Sequence, residues 1–138
     1  MNPTSPVTEL SLEAAWSMLR DDPSAVLIDV RTPEEWNFVG VPVLDSIAKA
    51  PRFVYWTAYG TGAANPAFLS EATEGLDPAT PLLFLCRSGV RSKAAALLAG
   101  ANGFANTYNI TAGFEGDLEA VGHRATGWRH SGLPWRQG

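Results

Sequence analysis

Residues 82–98, LLFLCRSGVRSKAAALL, hold the pattern from which the architecture follows. Leu82 to Leu85 follow Pro81 as a continuous apolar run. Such a run suits a strand buried on both faces of a parallel sheet. Ser88-Gly89 is a turn signal. From Arg91 to Gly100 the chain is rich in alanine and leucine, which favour helix. A buried strand that turns directly into a helix is the repeating piece of an alternating α/β architecture.

The alternation continues on both sides of this stretch. Ala25–Val30 (AVLIDV) is a second buried strand, and Val7–Leu10 is a short first one. Between them, Ser11 caps a helix on which Leu12, Ala15, Trp16 and Leu19 share one face. Thr32, Pro33 and Glu35 form a compact helix start, with cap, proline at N1 and carboxylate at N3. Val43–Ala48 reads as a weaker third strand. Residues 51–65 (PRFVYWTAYGTGAAN) read as a loop excursion packed by its own aromatic side chains. Asn65-Pro66 opens a helix to about Glu74. Asn102-Gly103 stops the helix after Arg91, and Thr107–Ile110 is a fifth strand. A loop-rich tail follows, with one short helical turn near Trp128. The pattern predicts an α/β fold, a parallel sheet with helices on both faces.

The chain has 138 residues, about one domain. Hydrophobic residues make up 46% and charged residues 17%, a globular balance. One cysteine excludes an internal disulfide framework and a multi-cysteine metal site. No apolar run is long enough to span a membrane. Met1–Leu10 lacks the basic and apolar segments of a secretory signal, so a cytoplasmic location is expected. The net charge of −4 makes a poor general partner for nucleic acid. That charge is uneven. Pro78 to Phe114 holds no acidic residue, and its only charges are Arg87, Arg91 and Lys93.

This positive island surrounds Cys86. The predicted topology sets Cys86 at the carboxyl end of a parallel strand, where open α/β sheets bind ligands. The turn Arg87-Ser88-Gly89-Val90 and the helix after it aim backbone N–H groups at the sulfur, an anion-binding arrangement. Gly89 allows the positive φ that a tight cradle needs. The helix start and the two arginines favour the thiolate of Cys86. A lone cysteine is commonly a small buried hydrophobe; here its position favours a nucleophile.

At these residues a family resemblance becomes plain. Cys86-Arg87-Ser88-Gly89-Val90-Arg91-Ser92 resembles the active-site loop of the rhodaneses, which transfer sulfur from thiosulfate or persulfides. Leu27–Arg31 followed by Thr32–Trp36 resembles that family's second-strand signature, Asn109–Gly113 its segment after the fifth strand, and Gly132-Leu133-Pro134-Trp135 its frequent ending. The resemblance spans residues 6–136 as one domain, with 1–5 as an N-terminal extension. It implies a three-layer fold with a five-stranded parallel sheet of order 3-2-4-5-1. It implies a ping-pong reaction: the Cys86 thiolate takes the outer sulfur of thiosulfate, and a thiol or cyanide removes it. It implies no metal and no cofactor. Its partners are a small-molecule sulfur donor and a thiol acceptor, with a protein sulfur partner as a further possibility, and neither nucleic acid nor membrane.

The rival reading is a cysteine-dependent phosphatase or arsenate reductase. Those enzymes use His-Cys-x5-Arg, whereas this loop is Cys-x4-Arg preceded by Leu85. The shorter loop makes a tighter cradle, better sized for one sulfur than for a phosphoryl group. A non-turnover sulfur carrier is the other alternative. Arg87, Ser88, Gly89, Val90, Arg91 and Ser92 are the expected substrate-binding residues, and Asp29 with Arg31 the expected structural support. Phe38–Pro42 lacks the histidine common at that point in the family, and this stretch and the excursion at 51–65 are expected to border the pocket. Trp36 is expected in the core, with Tyr55, Trp56 and Tyr59 as candidate acceptor-pocket residues. His123 and His130 read as surface histidines.

Overall fold

The structure, a computed structural model, describes residues 7–118, 122 and 124–137. The predicted N-terminal extension and His123 lie outside the described residues. In chain order the elements are β1 (Thr8–Leu10), α1 (Leu12–Asp21), β2 (Val26–Asp29), α2 (Pro33–Phe38), β3 (Val41–Pro42), β4 (Arg52–Phe53), α3 (Phe68–Thr73), β5 (Leu82–Leu85), α4 (Val90–Ala101), β6 (Thr107–Ile110) and β7 (Trp135–Arg136). β1, β6, β5, β2 and β4 form, in that order, one parallel sheet. The expected order 3-2-4-5-1 holds, with β4 as its third member.

Alternation along the strands builds two cores. Leu27, Leu83, Leu85 and Ile110 face one way and pack on Ala15 and Leu19 of α1 and on Trp128. Ile28, Leu82, Phe84 and Cys86 face the other way, onto Phe68 and Ala72 of α3 and Ala95, Ala96 and Ala99 of α4. Successive side chains of a strand point to opposite faces, so one buried strand feeds both layers. Both expected side-chain caps form. Ser11 Oγ accepts from the Ala14 N–H at 3.1 Å. Thr32 and Glu35 close a reciprocal capping box, with Pro33 in the first turn.

The third strand differs from the expectation. Val43–Ala48 holds a short 3-10 turn at Asp45–Ile47, closed by Ala48 at φ 58°. Its residues are used otherwise: the Val43 N–H donates to the Pro134 carbonyl at 3.0 Å, and Leu44 is buried in the α1-side core. Just before it, β3 pairs antiparallel with β7. The sheet instead gains β4 from within the supposed excursion, a two-residue edge strand; very short edge strands resist unwanted pairing. Trp56 ties the rest of that excursion to the core, meeting Phe68 edge-on at 5.0 Å, and Thr57 bridges Ala64 within it. Trp36, expected in the core, is half-buried instead and packs at 5.2 Å on the exposed Phe53 of the edge strand. Among the described residues no helix is long and apolar enough to cross a membrane.

Candidate active site

Cys86 follows the last residue of β5 directly, on the face covered by α4. Its side chain is almost wholly buried. The Gly89 N–H donates to Sγ at 3.1 Å, and Ser92 Oγ lies 3.2 Å from the same sulfur. Gly89, at φ 98°, precedes the first turn of α4, which carries no acidic side chain. A backbone donor at the positive end of a twelve-residue helix therefore points at the sulfur, with the Ser92 hydroxyl beside it.

A second loop, residues 111–116, holds the first from behind. The Phe114 N–H donates to the Cys86 carbonyl at 2.8 Å, and those of Glu115 and Gly116 to the Arg87 carbonyl at 3.0 and 3.2 Å. The two backbones touch so closely that both contacts need glycine. A Cβ on Gly89 would overlap the Thr111 carbonyl oxygen, and one on Gly113 would overlap the Arg87 carbonyl. Both residues also have positive φ, at 98° and 71°. The cradle is thus a two-loop device; the second loop leaves no mark in the Cys86 segment.

The positive island does not stay positive. The Arg91 guanidinium donates to both Glu35 oxygens at 2.8 and 2.9 Å. Arg87 pairs with Glu115 at 3.1 Å, and Lys93 lies 3.6 Å from Glu9. Burial pushes the Glu35 carboxyl up, but the bonded Arg91 and the Thr32 N–H outweigh it and hold it below the ordinary carboxylate range. Arg91 is held above its usual value by the bond to Glu35, against the effect of burial. Carboxylates brought in from other segments therefore meet each cation near Cys86.

Asp29 and Arg31 form a fully buried pair, with Nε to Oδ1 at 3.0 Å and an amino nitrogen to Oδ2 at 2.7 Å. The same nitrogen donates to the Gly40 carbonyl at 2.8 Å, and the guanidinium stacks on Phe114 at 4.3 Å. Phe114 holds the Cys86 carbonyl, so the pair underlies the loop from the end of β2. Of the remaining loop residues, Val90 is 77% exposed, Arg87 is exposed, and Ser88 is half-buried. Tyr55 and Tyr59 border a small cavity with Pro33, Glu34 and Ala58. Trp56 belongs to the α4-side core, and His130 is exposed. Reading the sequence missed Glu35 as the partner of Arg91, Glu115 as that of Arg87, and Asn109 as a contact of the loop. Glu35 was legible as a helix cap; its reach to Arg91 was not.

The family described as STR4 middle domain matches residues 8–138. The chain is 48% identical to Rv0390 of M. tuberculosis, whose crystal structure superimposes with a TM-score of 0.88 over 97% of this chain and 100% of that one. It is 32% identical to Rhodanese-like domain-containing protein 4, chloroplastic, of Arabidopsis thaliana, over 91% of this chain but 25% of that longer protein. It is 28% identical to the thiosulfate sulfurtransferase GlpE of Actinobacillus succinogenes, over 92% of this chain and 88% of that protein.

Proposed function

The chain belongs to the rhodanese-like family, and we propose that it is a sulfurtransferase working through a persulfide on Cys86. The Cys86 thiolate attacks the outer sulfur of thiosulfate or of a persulfide donor. A new S–S bond forms, the old one breaks, and sulfite or a thiolate leaves with the bonding pair. A thiolate or cyanide then attacks the terminal sulfur and releases the Cys86 thiolate. Neither step needs an external oxidant or reductant. Arg87, Ser88, Gly89, Val90, Arg91 and Ser92 line the donor's approach, and the Asp29–Arg31 pair supports the loop. A cytoplasmic setting, where small thiols stay reduced, belongs to the same proposal.

One observation carries this reading: the Gly89 N–H at 3.1 Å from Sγ, at the start of α4. Such a donor favours negative charge on sulfur. A second observation favours the alternative of a sulfur carrier that loads without rapid turnover. Both loop arginines are already engaged by carboxylates, which weakens recognition of a doubly charged donor. Intact-protein mass after thiosulfate, followed by a cyanide chase, tests the proposal. A gain of about one sulfur on the wild type, absent from Cys86→Ser and lost to cyanide, is expected. Loading of Cys86→Ser would overturn it. Single loading without repeated turnover would select the carrier.

A further inference from the structure

Ser92 Oγ stands between two acceptors. It lies 3.2 Å from Cys86 Sγ and 2.5 Å from Asn109 Oδ1. A serine hydroxyl has one proton and cannot donate to both. Which one receives it depends on how the Asn109 amide is turned, and that is settled at its other end. Asn109 Nδ2 donates to Glu9 Oε1 at 2.9 Å and to the Gly89 carbonyl at 3.1 Å. Both of those atoms only accept, so the oxygen of the amide faces Ser92. Sheet register fixes the neighbours, because Glu9 and Asn109 are directly paired across β1 and β6. The Thr111 hydroxyl holds the same Glu9 oxygen at 2.7 Å. Ser92 and Asn109 are both almost fully buried, so water does not relieve the competition.

Building on the reading of Cys86 as the nucleophile, we propose that Asn109 is a positioning residue that competes with the Cys86 sulfur for the Ser92 proton. While Cys86 is a thiol, Ser92 donates to Asn109, and the S–H donates to Ser92 Oγ. When the thiol proton leaves to solvent, the Ser92 hydroxyl turns: its bond to Oδ1 breaks and one to the anionic sulfur forms. When Sγ captures sulfur, the charge passes to the terminal atom and the proton swings back to Asn109. The hydroxyl thus follows the charge on Sγ, and Asn109 sets how much that turn costs. The thiolate is the less favoured for it, so the resting cysteine is kept from indiscriminate reaction.

The charged groups around the sulfur do not substitute for this switch. They are Arg91 of α4 on Glu35 of α2, Arg87 on Glu115 of the second loop, Arg31 on Asp29 at the end of β2, and Lys93 near Glu9 of β1. None of these charged side chains is bonded to Ser92, and of them only Glu9 is bonded to Asn109.

Thiolate absorbance near 240 nm, followed against pH on the full chain, tests the proposal. Each variant is referenced to its own Cys86→Ser counterpart, which cancels tyrosine. Asn109→Ala is expected to lower the transition midpoint by roughly half to one pH unit, because Ser92 is freed for the sulfur. Ser92→Ala is expected to raise it. In the double variant the Asn109 change should do nothing further, since no proton remains to redirect. A midpoint raised or unmoved by Asn109→Ala overturns the proposal, as does an Asn109 effect that survives the loss of Ser92. Should Asn109→Ala unfold, Asn109→Val, closer in bulk and at home in a strand, is read the same way. The titration uses no sulfur donor, so its failure is distinct from a failure of sulfur loading.

Discussion

Glu35→Gln separates two roles of one carboxylate. Glu35 receives a two-pronged bond from Arg91 at 2.8 and 2.9 Å, with side-chain exposures of 27% for Arg91 and 13% for Glu35. It also accepts from the Thr32 N–H at 3.2 Å and the Thr32 hydroxyl at 3.1 Å. Glutamine keeps one acceptor for the cap but loses the charge and half of the fork. For a partly buried, charge-assisted pair that loss is about 1–2 kcal/mol at neutral pH. In a domain of this size it lowers Tm by roughly 3–7 °C. The pH dependence has a definite sign. The Glu35 carboxyl is held low in the folded chain, so its contribution is present above the ordinary glutamate range and is lost as pH falls through the lowered value. The wild-type and Glu35→Gln stability curves should therefore converge as pH falls below the ordinary glutamate range and through that lowered value. At the same time Arg91 is released beside the Cys86 loop. Binding of an anionic donor should tighten about two- to fivefold, as one exposed ion pair allows. Thermal unfolding across pH, together with KM for thiosulfate, reads both effects. A variant that is less stable yet binds the donor more weakly would refute the view that Glu35 masks Arg91. A stability gap that persists unchanged at acid pH would refute the view that the charge is what matters.

Two further outcomes follow from the packing behind the loop. Gly113→Ala combines the strain of φ 71° with a Cβ that overlaps the Arg87 carbonyl; a loss of about 2–4 kcal/mol in urea unfolding is expected, with slower sulfur loading. Asp29→Asn leaves the buried Arg31 guanidinium without its counter-charge; a loss of about 3–5 kcal/mol is expected, and an unchanged urea midpoint would show that the pair is not needed.

Much of the fold was legible because its cues are local. The buried runs at Ala25–Val30 and Leu82–Leu85 and the caps at Ser11 and Thr32 depend on neighbours within a turn or two, and they appear where expected. The third strand misled because Val43–Ala48 has the apolar content of a strand, while Arg52–Phe53 has little to mark it. What placed β4 in the sheet was register with Ile28 and Asp29. Val43 and Leu44 were claimed instead by the tail and the core.

The candidate site divides in the same way. That a lone cysteine ends a buried strand, enters a glycine-containing turn and faces a helix start is legible in the chain alone, because all of it is written within ten residues. What surrounds the sulfur is set by the assembled sheet. Arg91 and Glu35 are 56 residues apart, and Asn109 and Glu9 are 100 apart. Charge and proton ownership at the site follow from which strands lie side by side and in what register. A pattern that extends over a few residues cannot specify that, because the groups that neutralise Arg91 and hold Asn109 arrive only when the sheet is assembled.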